Sequence, residues 1–469
     1  MNELKNLYAS VFGSAPDTMV RIGVSGSGRE YYRMSGASTV IGTIGTSDME
    51  NEAFLAFSRL FAANHLPVPE VIAVSPDGHC YLQQDLGDLS LYDLIAARSE
   101  DAGPLLHGTV RLLPHFQYVE TRGFDFSKCY PRRELDRRSA MWDLNYFKYS
   151  FLKPSGVEFD ENQLETDFER IASAVVSNPS RTLLLRDFQS RNIMISEGRS
   201  YVIDYQGARL GDGLYDLASF VWQPRAGFSD KLRRSLADTY RNEAERLTGR
   251  RIADFDYRLD RMVLFRSLQV LGAYGFRGLV ERKAMFLECI PVALRILCDT
   301  LGRLSADHLP ALSDAVDALC ALDRFAPASD SDGKLTVKVM SFSYKRGIPE
   351  DFTGNGGGFV FDCRGMHNPG RYDAYKPLTG MDRPVIDFLE RQGEIQTFME
   401  HCYGMVDPSV ECYLRRGFTN LSVCFGCTGG RHRSVCGAEH LARHLSEKFG
   451  VRIHLVHREQ GVDKILPAR

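Results

Sequence analysis

Residues 183–206 read LLLRDFQSRNIMISEGRSYVIDYQ, and this stretch decides the fold. Asp187 follows an apolar run, and its carboxylate can accept a proton from an attacking hydroxyl. Asn192 lies five residues later and offers a neutral oxygen to a divalent ion. Two short predicted strands around a turn lead to Asp204, which emerges at a strand end beside the first two groups. A base and two metal ligands in this arrangement predict phosphoryl transfer, which needs positioned charge more than covalent chemistry.

ATP and Mg²⁺ are the cofactors that this arrangement predicts, because carboxylate and amide oxygens suit a hard cation bound to phosphates. The predicted roles are a base for Asp187 and metal ligands for Asn192 and Asp204. The alternative is that Asp187 and Asp204 each only cap a turn, and for either residue alone that interpretation is favoured. The complete spacing D-x4-N…I-D within apolar strands favours a kinase-type function.

A glycine-rich segment at 21–34 reads RIGVSGSGREYYRM. Glycine permits a close backbone approach to phosphates, so Gly26, Ser27 and Gly28 are predicted to cover the nucleotide. The alternation that follows predicts strand–loop–strand rather than strand–loop–helix. This order disfavours Rossmann and Walker folds, which need a helix after the glycines.

Residues 183–206 resemble the catalytic and metal loops of the aminoglycoside phosphotransferase and choline kinase group of protein-kinase-like folds. The sequence RDFQSRN at 186–192 is most similar to the bacterial branch that phosphorylates N-acetylmuramate and N-acetylglucosamine at the anomeric hydroxyl. The stretch GDGLYDLAS at 211–219 also fits the group, in which the aspartate matching Asp216 braces the catalytic loop. The resemblance spans about residues 1–325.

This resemblance implies an α+β protein-kinase-like bilobal fold over residues 1–326. A small β-rich lobe is expected at about 1–88 and a larger helical lobe at about 89–326. A linker is predicted at 327–334, where small, polar and turn-forming residues cluster. The branch implies a sugar as acceptor and a sugar 1-phosphate as product, for recycling of cell wall amino sugars.

One expected residue of the small lobe is missing, since no lysine occurs between positions 5 and 128. The strand predicted at 39–44 is where a protein kinase holds its phosphate-binding lysine. Arg29 or Arg33 can supply the cation instead, because a guanidinium binds phosphate oxygens through two donors. Glu52, on the following helix, is the candidate partner of that cation. A relative without catalytic activity is the competing interpretation.

The hinge between the two predicted lobes is placed at 84–87. Gln84 and Leu86 are candidates there to hold adenine through their backbone groups. Farther along, the helix predicted at 141–153 carries five aromatic residues. These are interpreted mainly as core. The alternative is that the helix forms one wall of the acceptor site, because aromatic faces suit sugar rings.

Length and composition are those of a globular enzyme with two domains, with 469 residues of which 44% are hydrophobic. No apolar run approaches the ~20 residues of a bilayer span, and the first residues lack a signal-peptide core. Eleven cysteines without secretory context indicate reduced thiols, so a cytoplasmic location is expected. The net charge of −3 predicts no polyanionic or membrane partner.

Residues 335–469 are predicted to form a separate α/β domain with a mainly parallel sheet. Three strands each lead into a polar loop, and an amphipathic helix and a fourth strand follow; these elements are predicted at 335–342, 358–362, 421–425, 435–449 and 451–456. The last of the three loops is glycine-rich and stands at the N-terminus of the helix. Such a loop predicts an anion site, because amides, helix dipole and cations act together.

The three polar loops all follow strands, so in a parallel sheet they converge on one edge. Lys345, Arg346, Arg364 and Arg433 are therefore predicted to bind one ligand, and a solvated basic surface is the alternative. The complete predicted anion site comprises Lys345, Arg346, Arg364, Asn368, Cys427, Thr428, Gly429, Gly430, Arg431, His432, Arg433 and Ser434.

The motif GCTGGRHRS at 426–434, together with FDCR at 361–364, strongly resembles the C-terminal domain of the RNase adapter protein RapZ. The resemblance covers nearly all of 335–469. It implies sensing of an amino sugar phosphate and binding of small RNA. The tail 461–469 carries only two cations, fewer than the phosphate contacts that RNA affinity needs, so phosphosugar sensing is favoured over RNA binding.

Two other interpretations of this loop stay open. Cys427, Arg433 and Ser434 fit the C-x5-R-[ST] pattern of phosphatases in which a thiolate attacks phosphate. Cys424 and Cys427, with His432 and Cys436, could instead bind zinc, although regular strand alternation turns the first two to opposite faces.

The sequence therefore predicts an ATP-dependent kinase for a small-molecule hydroxyl, joined to a domain that senses an amino sugar phosphate. One alternative is a non-catalytic regulator that binds nucleotide and phosphosugar, with RNA as a further partner. Another is a kinase for an aminoglycoside, choline or another amino alcohol.

Overall fold

A computed structural model of the chain describes residues 1–24, 28–45, 47–178, 181–322, 325, 334–349, 358–391 and 393–466. The chain divides into two units, Met1–Glu281 with Glu288–Phe325, and Arg282–Leu287 with Ala326–Arg469. Of the predicted linker 327–334, only Lys334 lies within the described residues.

Helices and strands of the described residues are numbered separately along the chain. The helices are α1 (Asn2–Phe12), α2 (Asp48–Ala63), α3 (Leu91–Ala96), α4 (Ala102–Gln117), α5 (Arg137–Phe147), α6 (Glu161–Val176), α7 (Leu214–Val221), α8 (Asp230–Thr248), α9 (Phe255–Tyr274), α10 (Ala284–Leu287), α11 (Ile290–Arg303), α12 (Pro310–Cys320), α13 (Arg383–Arg391), α14 (Glu394–Arg416) and α15 (Arg433–Phe449). The strands are β1 (Thr18–Val24), β2 (Glu30–Ser35), β3 (Val40–Ile44), β4 (Val71–Val74), β5 (Cys80–Gln84), β6 (Thr182–Leu184), β7 (Ile193–Ser196), β8 (Arg199–Val202), β9 (Arg209–Gly211), β10 (Thr336–Ser343), β11 (Gly358–Asp362), β12 (Asn420–Cys427), β13 (Arg452–His457) and β14 (Val462–Leu466).

An antiparallel sheet in the order β1-β2-β3-β5-β4 forms the small lobe, which confirms the predicted β-rich start of the fold. Tyr32 and Met34 of β2 face one side of this sheet, where Leu4 and Tyr8 of α1 are buried with them. Because side chains alternate along a strand, Tyr31 faces the other side.

The larger lobe is mainly helical and holds two short pairs of strands. Strands β7 and β8 form the predicted hairpin, with Ile193 opposite Val202 and Gly198 in its turn at a φ of 71°. Strand β6, which precedes the hairpin, pairs with β9, which follows it. This pairing brings the loop at 185–192 next to the loop at 203–208.

A five-stranded sheet in the order β11-β12-β10-β13-β14 forms the centre of the second unit. Strands β10 to β13 pair in parallel, as predicted, and β14 adds an antiparallel edge. Ser343 pairs with Cys427, and Asp362 pairs with Gly426, so the strand ends lie on one edge. Helix α15 covers the sheet with a buried apolar face.

No helix in the described ranges combines the length and hydropathy that crossing a membrane requires.

Candidate functional site

The three polar residues predicted to act together meet between the two neighbouring loops of the larger lobe. The amide nitrogen Nδ2 of Asn192 donates to the backbone oxygen of Asp187 at 2.9 Å and to Oδ2 of Asp204 at 3.2 Å. Gln206 donates to the other oxygen, Oδ1, of Asp204 at 2.8 Å. Asn192 is buried, so its contacts hold the base and the second carboxylate at a fixed separation.

The carboxylates of this cluster repel each other. Burial and the negative charge of Asp187 both raise the pKa of Asp204. Asp204 also has a φ of 63°, a backbone conformation that is costly outside glycine and typical of functional sites. Two carboxylates and an amide oxygen are the ligands that Mg²⁺ prefers. The residues present therefore fit a magnesium ion, whose charge would relieve the repulsion.

A buried aspartate fixes the loop that carries Asp187. Asp216 accepts hydrogen bonds from the backbone N–H groups of Leu185 at 2.7 Å and Arg186 at 2.9 Å. Burial raises the pKa of Asp216 to about 6. These contacts confirm the bracing role that the family resemblance implied. They also offset part of the free-energy cost of the φ of 71° at Arg186.

An aromatic contact that the sequence did not predict ties the Asp204 loop to α2 of the small lobe. The ring of Tyr205 stacks on Phe54, with 5.0 Å between centroids, and meets the edge of Phe61 at 5.2 Å. Its hydroxyl lies 2.8 Å from Oγ of Ser58. The residue after Asp204 thus couples the position of the predicted metal ligand to the helix.

Arg29, one of the two candidate cations of the small lobe, pairs with a different glutamate from the predicted one. Arg29 is 1% exposed, donates to the backbone oxygen of Glu50 at 3.1 Å, and lies 3.6 Å from the carboxylate of Glu50. Its positive charge opposes the rise in the pKa of Asp204. Glu52, the predicted partner, is exposed and pairs with Lys128 instead. Because residues two apart on a helix face different directions, Glu50 faces Arg29 and Glu52 does not.

The second candidate cation, Arg33, has a different role. Its guanidinium binds both oxygens of Asp85, at 2.6 and 3.0 Å, and pairs with Asp88 at 2.9 Å. It therefore fixes the predicted hinge and is not available to a phosphate. Gln84 ends β5, and Leu86 is buried immediately after it.

The predicted phosphate cover lies mostly outside the described residues. Gly26 and Ser27 are not among them, whereas Gly28 is described and has a φ of 77°, which only glycine adopts readily.

Helix α5 approaches the Asp187 loop through an ion pair. Asp143 of α5 binds Arg186 at 2.9 Å, and the Arg186 guanidinium lies 4.9 Å from the centre of the Tyr215 ring. Of the aromatic residues predicted on this helix, Phe147 and Phe151 are buried in the core, as expected, whereas Trp142 and Tyr149 are exposed. A second arginine, Arg209, lies beside Arg186, and sequence reasoning missed both it and Asp143.

In the second unit, the three predicted loops do converge at the sheet edge. Ser343 Oγ donates to the backbone oxygen of Thr428 at 2.8 Å, which joins the loops after β10 and β12. The guanidinium of Arg364, after β11, lies 4.1 Å from the ring centre of Tyr344. It also binds both oxygens of Asp362. Gly429 and Gly430 complete the turn, and Gly430 has a φ of 62°.

The basic side chains of the glycine-rich loop bind the protein itself, which corrects their predicted role as ligand donors. Arg433 is buried and donates to the backbone oxygens of Arg364 at 3.0 Å and Met366 at 2.8 Å. Arg431 donates to the backbone oxygens of Pro377 and Leu378. The ring nitrogen Nε2 of His432 lies 2.9 Å from the backbone oxygen of Tyr375. Backbone oxygens of the loops therefore accept from each of these side chains, whereas Nε of buried Arg433 has no hydrogen-bond partner within the described residues.

Other members of the predicted anion site also have protein partners. Asn368 accepts from the N–H of Gly370 at 3.1 Å and so forms a local turn. Arg346 pairs with Glu459 at 3.1 Å, a residue that sequence reasoning did not include. Lys345 is exposed and has no ion-pair partner among the residues the structure describes. Lys345, the loop amides and the hydroxyls of Thr428 and Ser434 are therefore the groups best placed for an anion.

Cys427 occupies the centre of this loop, with its Sγ 3.1 Å from Oγ of Ser434. Burial opposes ionisation of the thiol, but hydrogen bonds from Ser434, the charge of Arg433 and the amide of Arg431 hold the pKa of Cys427 below its usual value. The outward hydrogen bonds of Arg433 leave the phosphatase arrangement incomplete. Across the described ranges no three His, Cys, Asp or Glu side chains are placed to hold a metal ion, so the zinc alternative is wrong.

Two protein families match different parts of the chain. Residues 18–254 match the phosphotransferase enzyme family, and residues 335–461 match the RapZ C-terminal domain. The first match spans the small lobe and the candidate active site, and the second spans the glycine-rich loop.

The curated relatives share a limited part of the chain. A nucleotide-binding protein of Glaesserella parasuis is 38% identical over 127 residues, which are 27% of this chain and 42% of that protein. A nucleotide-binding protein of Corynebacterium jeikeium is 36% identical over 180 residues, 38% of this chain and 56% of that protein. The chain thus spans less than two thirds of the length of either relative.

Solved structures similar to this chain include a choline/ethanolamine kinase family protein from Mesorhizobium loti and a thermostable mutant of an aminoglycoside phosphotransferase. The first has a TM-score of 0.41 and 15% identity, over 64% of this chain and 92% of that chain. The second has a TM-score of 0.41 and 16% identity, over 68% of this chain and 100% of that chain.

Proposed function

Since this chain belongs to the phosphotransferase enzyme family, we propose that it transfers the γ-phosphoryl group of ATP to a hydroxyl of an amino sugar. The proposed acceptor is the anomeric hydroxyl of N-acetylmuramate or N-acetylglucosamine, and the product is the sugar 1-phosphate. The observation that carries the proposal is the contact of Asn192 with both Asp187 and Asp204, on a loop braced by Asp216.

In the proposed reaction Asp187 orients the acceptor hydroxyl and takes its proton as the oxygen attacks phosphorus. Asn192 and Asp204 would hold Mg²⁺, which when bound supplies positive charge to the phosphate oxygens. Asp216 keeps the base in place through two backbone N–H groups, so its role is positioning. Arg29, paired with Glu50, is the proposed small-lobe cation in place of the missing lysine.

The second unit is proposed to bind an amino sugar phosphate at the edge formed by the strand ends. Lys345 supplies a cation without a described partner, and the amides of the glycine-rich loop stand at the N-terminus of the long helix α15. Calorimetry with glucosamine 6-phosphate tests this site. Lys345→Ala should weaken binding, and the exposed, ion-paired Lys376→Ala serves as the matched control.

A regulator that binds nucleotide without turnover is the second candidate. The observation that favours it is the arginine–glutamate pair where a kinase has lysine and glutamate. Release of ADP in the presence of Mg²⁺, measured with sugars, choline and an aminoglycoside, separates the two candidates.

Asp187→Asn should lower kcat by about 100-fold or more, because the base is lost. Asp256→Asn, an exposed change on α9, should leave kcat unchanged. Turnover of no acceptor, or turnover that does not depend on Asp187, supports the regulator.

A further inference from the structure

Helix α7 lies along the loop at 185–192 and contacts it at three points. Asp216, in the first turn of the helix, braces the start of the loop through the two backbone N–H groups described above. One turn later the ring of Phe220 packs on the ring of Phe188, with 5.1 Å between centroids. The third contact is made by a residue just beyond the end of the helix, and it holds the end of the loop.

Gln223 makes this third contact, with Ser190. Oε1 of Gln223 accepts from Oγ of Ser190 at 2.8 Å and from its backbone N–H at 3.4 Å. Nε2 of Gln223 donates to the backbone oxygen of Phe220 at 2.7 Å. Because a backbone oxygen only accepts and a backbone N–H only donates, these contacts fix which end of the amide points at the loop. Ser190 is fully buried, so its hydroxyl depends on this acceptor rather than on solvent.

The spacing of the three contacts follows the helix. Positions 216, 220 and 223 are separated by four and three residues, which is the separation of neighbours on one helix face. They contact the loop in the same order, at 185–186, 188 and 190. Gln223 lies two residues beyond α7, where Pro224 favours its extended conformation, with a φ of −64° and a ψ of 122°. One face of α7 thus holds the loop along most of its length.

The contact at Ser190 bears on the proposed metal ligand Asn192 rather than on the base. Residues 190–192 form one turn, which closes where the N–H of Ile193 donates to the backbone oxygen of Ser190. Asn192 in turn donates to Asp204. Ser190 therefore fixes the turn that carries the amide, whereas the contacts of Asp216 fix the segment just before the base.

We propose that Gln223 is a positioning residue for the metal site, which holds Asn192, through Ser190, in the orientation that a divalent ion requires. This inference rests on the proposed function and assigns different roles to the two ends of α7. Asp216 at one end positions the base, and Gln223 at the other positions a metal ligand. Loss of Gln223 should therefore weaken metal binding more than it lowers kcat at saturating metal.

The test measures metal binding without turnover. Mn²⁺ is used in place of Mg²⁺, and its binding in the presence of ADP is titrated by electron paramagnetic resonance. Gln223→Met keeps the length of the side chain but removes the oxygen that accepts from Ser190. It should raise the dissociation constant for Mn²⁺ about tenfold, the lower end of the effect of groups that orient metal ligands. Gln163→Met, the same change at an exposed glutamine of α6, is the matched control and should leave the constant unchanged.

A double-mutant cycle and turnover kinetics separate positioning from general stability. Ser190→Ala should weaken Mn²⁺ binding as Gln223→Met does, and the double variant should lose little more than either, since both changes break the same contact. In turnover, Gln223→Met should raise the KM for Mg²⁺ about tenfold, with kcat at saturating Mg²⁺ nearly unchanged. Thermal unfolding without metal measures how far each variant is destabilised.

The outcomes separate this inference from the proposed function. An unchanged Mn²⁺ constant in Gln223→Met, even with lowered thermal stability, or additive losses in the double variant, would overturn the inference while phosphoryl transfer stands. If wild type binds Mn²⁺ but no acceptor yields ADP, the proposed function fails, and weaker Mn²⁺ binding by Gln223→Met still supports the positioning role. If wild type binds no divalent ion in the presence of ADP, both fail.

Discussion

The loop after β6 and the loop after β12 both place polar residues at a strand end, but their side chains are satisfied in opposite ways. Asp187 of the first loop lies beside Asp204 of the loop after β8, where burial and the charge of Asp187 raise the pKa of Asp204 and the amide of Asn192 donates to it. In the second, Arg433 turns away from the loop and binds two backbone oxygens. Two ionised carboxylates cannot donate hydrogen bonds to each other, whereas the N–H groups of an arginine can donate to backbone oxygens.

Clusters of carboxylates and clusters of arginines therefore differ in what they imply about a ligand. A cluster of carboxylates whose charges repel each other and form no ion pair within the described residues indicates an external cation. A cluster of arginines implies an external anion only where neither carboxylates nor backbone oxygens of the protein accept from the guanidinium groups. The basic residues of the second unit are mainly part of its scaffold.

The largest effect is expected from removing the carboxylate of Asp204. Asp204→Asn should lower kcat about 1,000-fold, because a metal ligand is lost from a desolvated site. Without Mg²⁺ the same change should raise the free energy of unfolding by about 1 kcal/mol, since one of two repelling charges is removed.

Steady-state kinetics and urea denaturation measure the two effects of Asp204→Asn, and exposed Asp256→Asn is the control. A kcat within tenfold of wild type would show that the carboxylates are not a cation site.

The next effect is a pH dependence of stability that comes from Asp216. Its pKa is about 6 in the folded protein, against about 3.9 in the unfolded chain, so the folded state binds more protons in between. The free energy of unfolding of wild type should therefore fall relative to Asp216→Asn as pH rises from 4 to 6.5. The relative change is about 3 kcal/mol at most.

Urea titrations of both proteins across that pH range measure the difference. A difference that stays constant, or that grows in favour of wild type with rising pH, contradicts a protonated Asp216 at low pH.

In the second unit, Arg433→Ala should destabilise the protein rather than only weaken a ligand site. Two backbone oxygens, of which that of Met366 is buried, lose their donor at a cost of about 2 kcal/mol. Hydrogen exchange of α15 should quicken in the absence of any ligand. Lys345→Ala is the comparison, with unchanged exchange and weaker binding of glucosamine 6-phosphate. Unchanged exchange in Arg433→Ala, with binding lost, would make this guanidinium a ligand group.

The smallest effect concerns the contact between Tyr205 and α2. Tyr205→Phe keeps the stacked ring but removes the hydrogen bond to Ser58, and should lower the free energy of unfolding by about 1 kcal/mol. A double-mutant cycle with Ser58→Ala measures the coupling. Additive losses would mean that the hydroxyl does not tie the metal loop to the helix.

Local patterns predicted much of this fold. Strand β11 begins and ends where the alternation and turn residues placed it, at 358 and 362. Helix α1 was not predicted, although Leu4 and Tyr8 have helical spacing, because a short amphipathic segment becomes a helix only against the sheet that buries it. The 23-residue helix α14 was also missed, and it contains Pro408.

The residues of the candidate site also divide into those that local structure brings together and those whose contacts depend on distant segments. Asp187, Asn192 and Asp204 were identified because they lie on consecutive loops around one hairpin, so their meeting follows from local structure. Glu50 was missed in favour of Glu52, because the choice between two glutamates of one helical turn depends on which side of α2 faces Arg29.

The sequence by itself determined the cluster of Asp187, Asn192 and Asp204, the two-domain order and the strand–loop–helix around the glycine-rich motif, because each depends on neighbours within a few residues. Only the tertiary structure decided which partner each charge has. Arg33 bound the hinge, Arg433 bound backbone oxygens, and Arg209 donated to backbone oxygens beside Asp187. Charge pairing is made between segments distant along the chain, and burial makes that choice of partner energetically decisive.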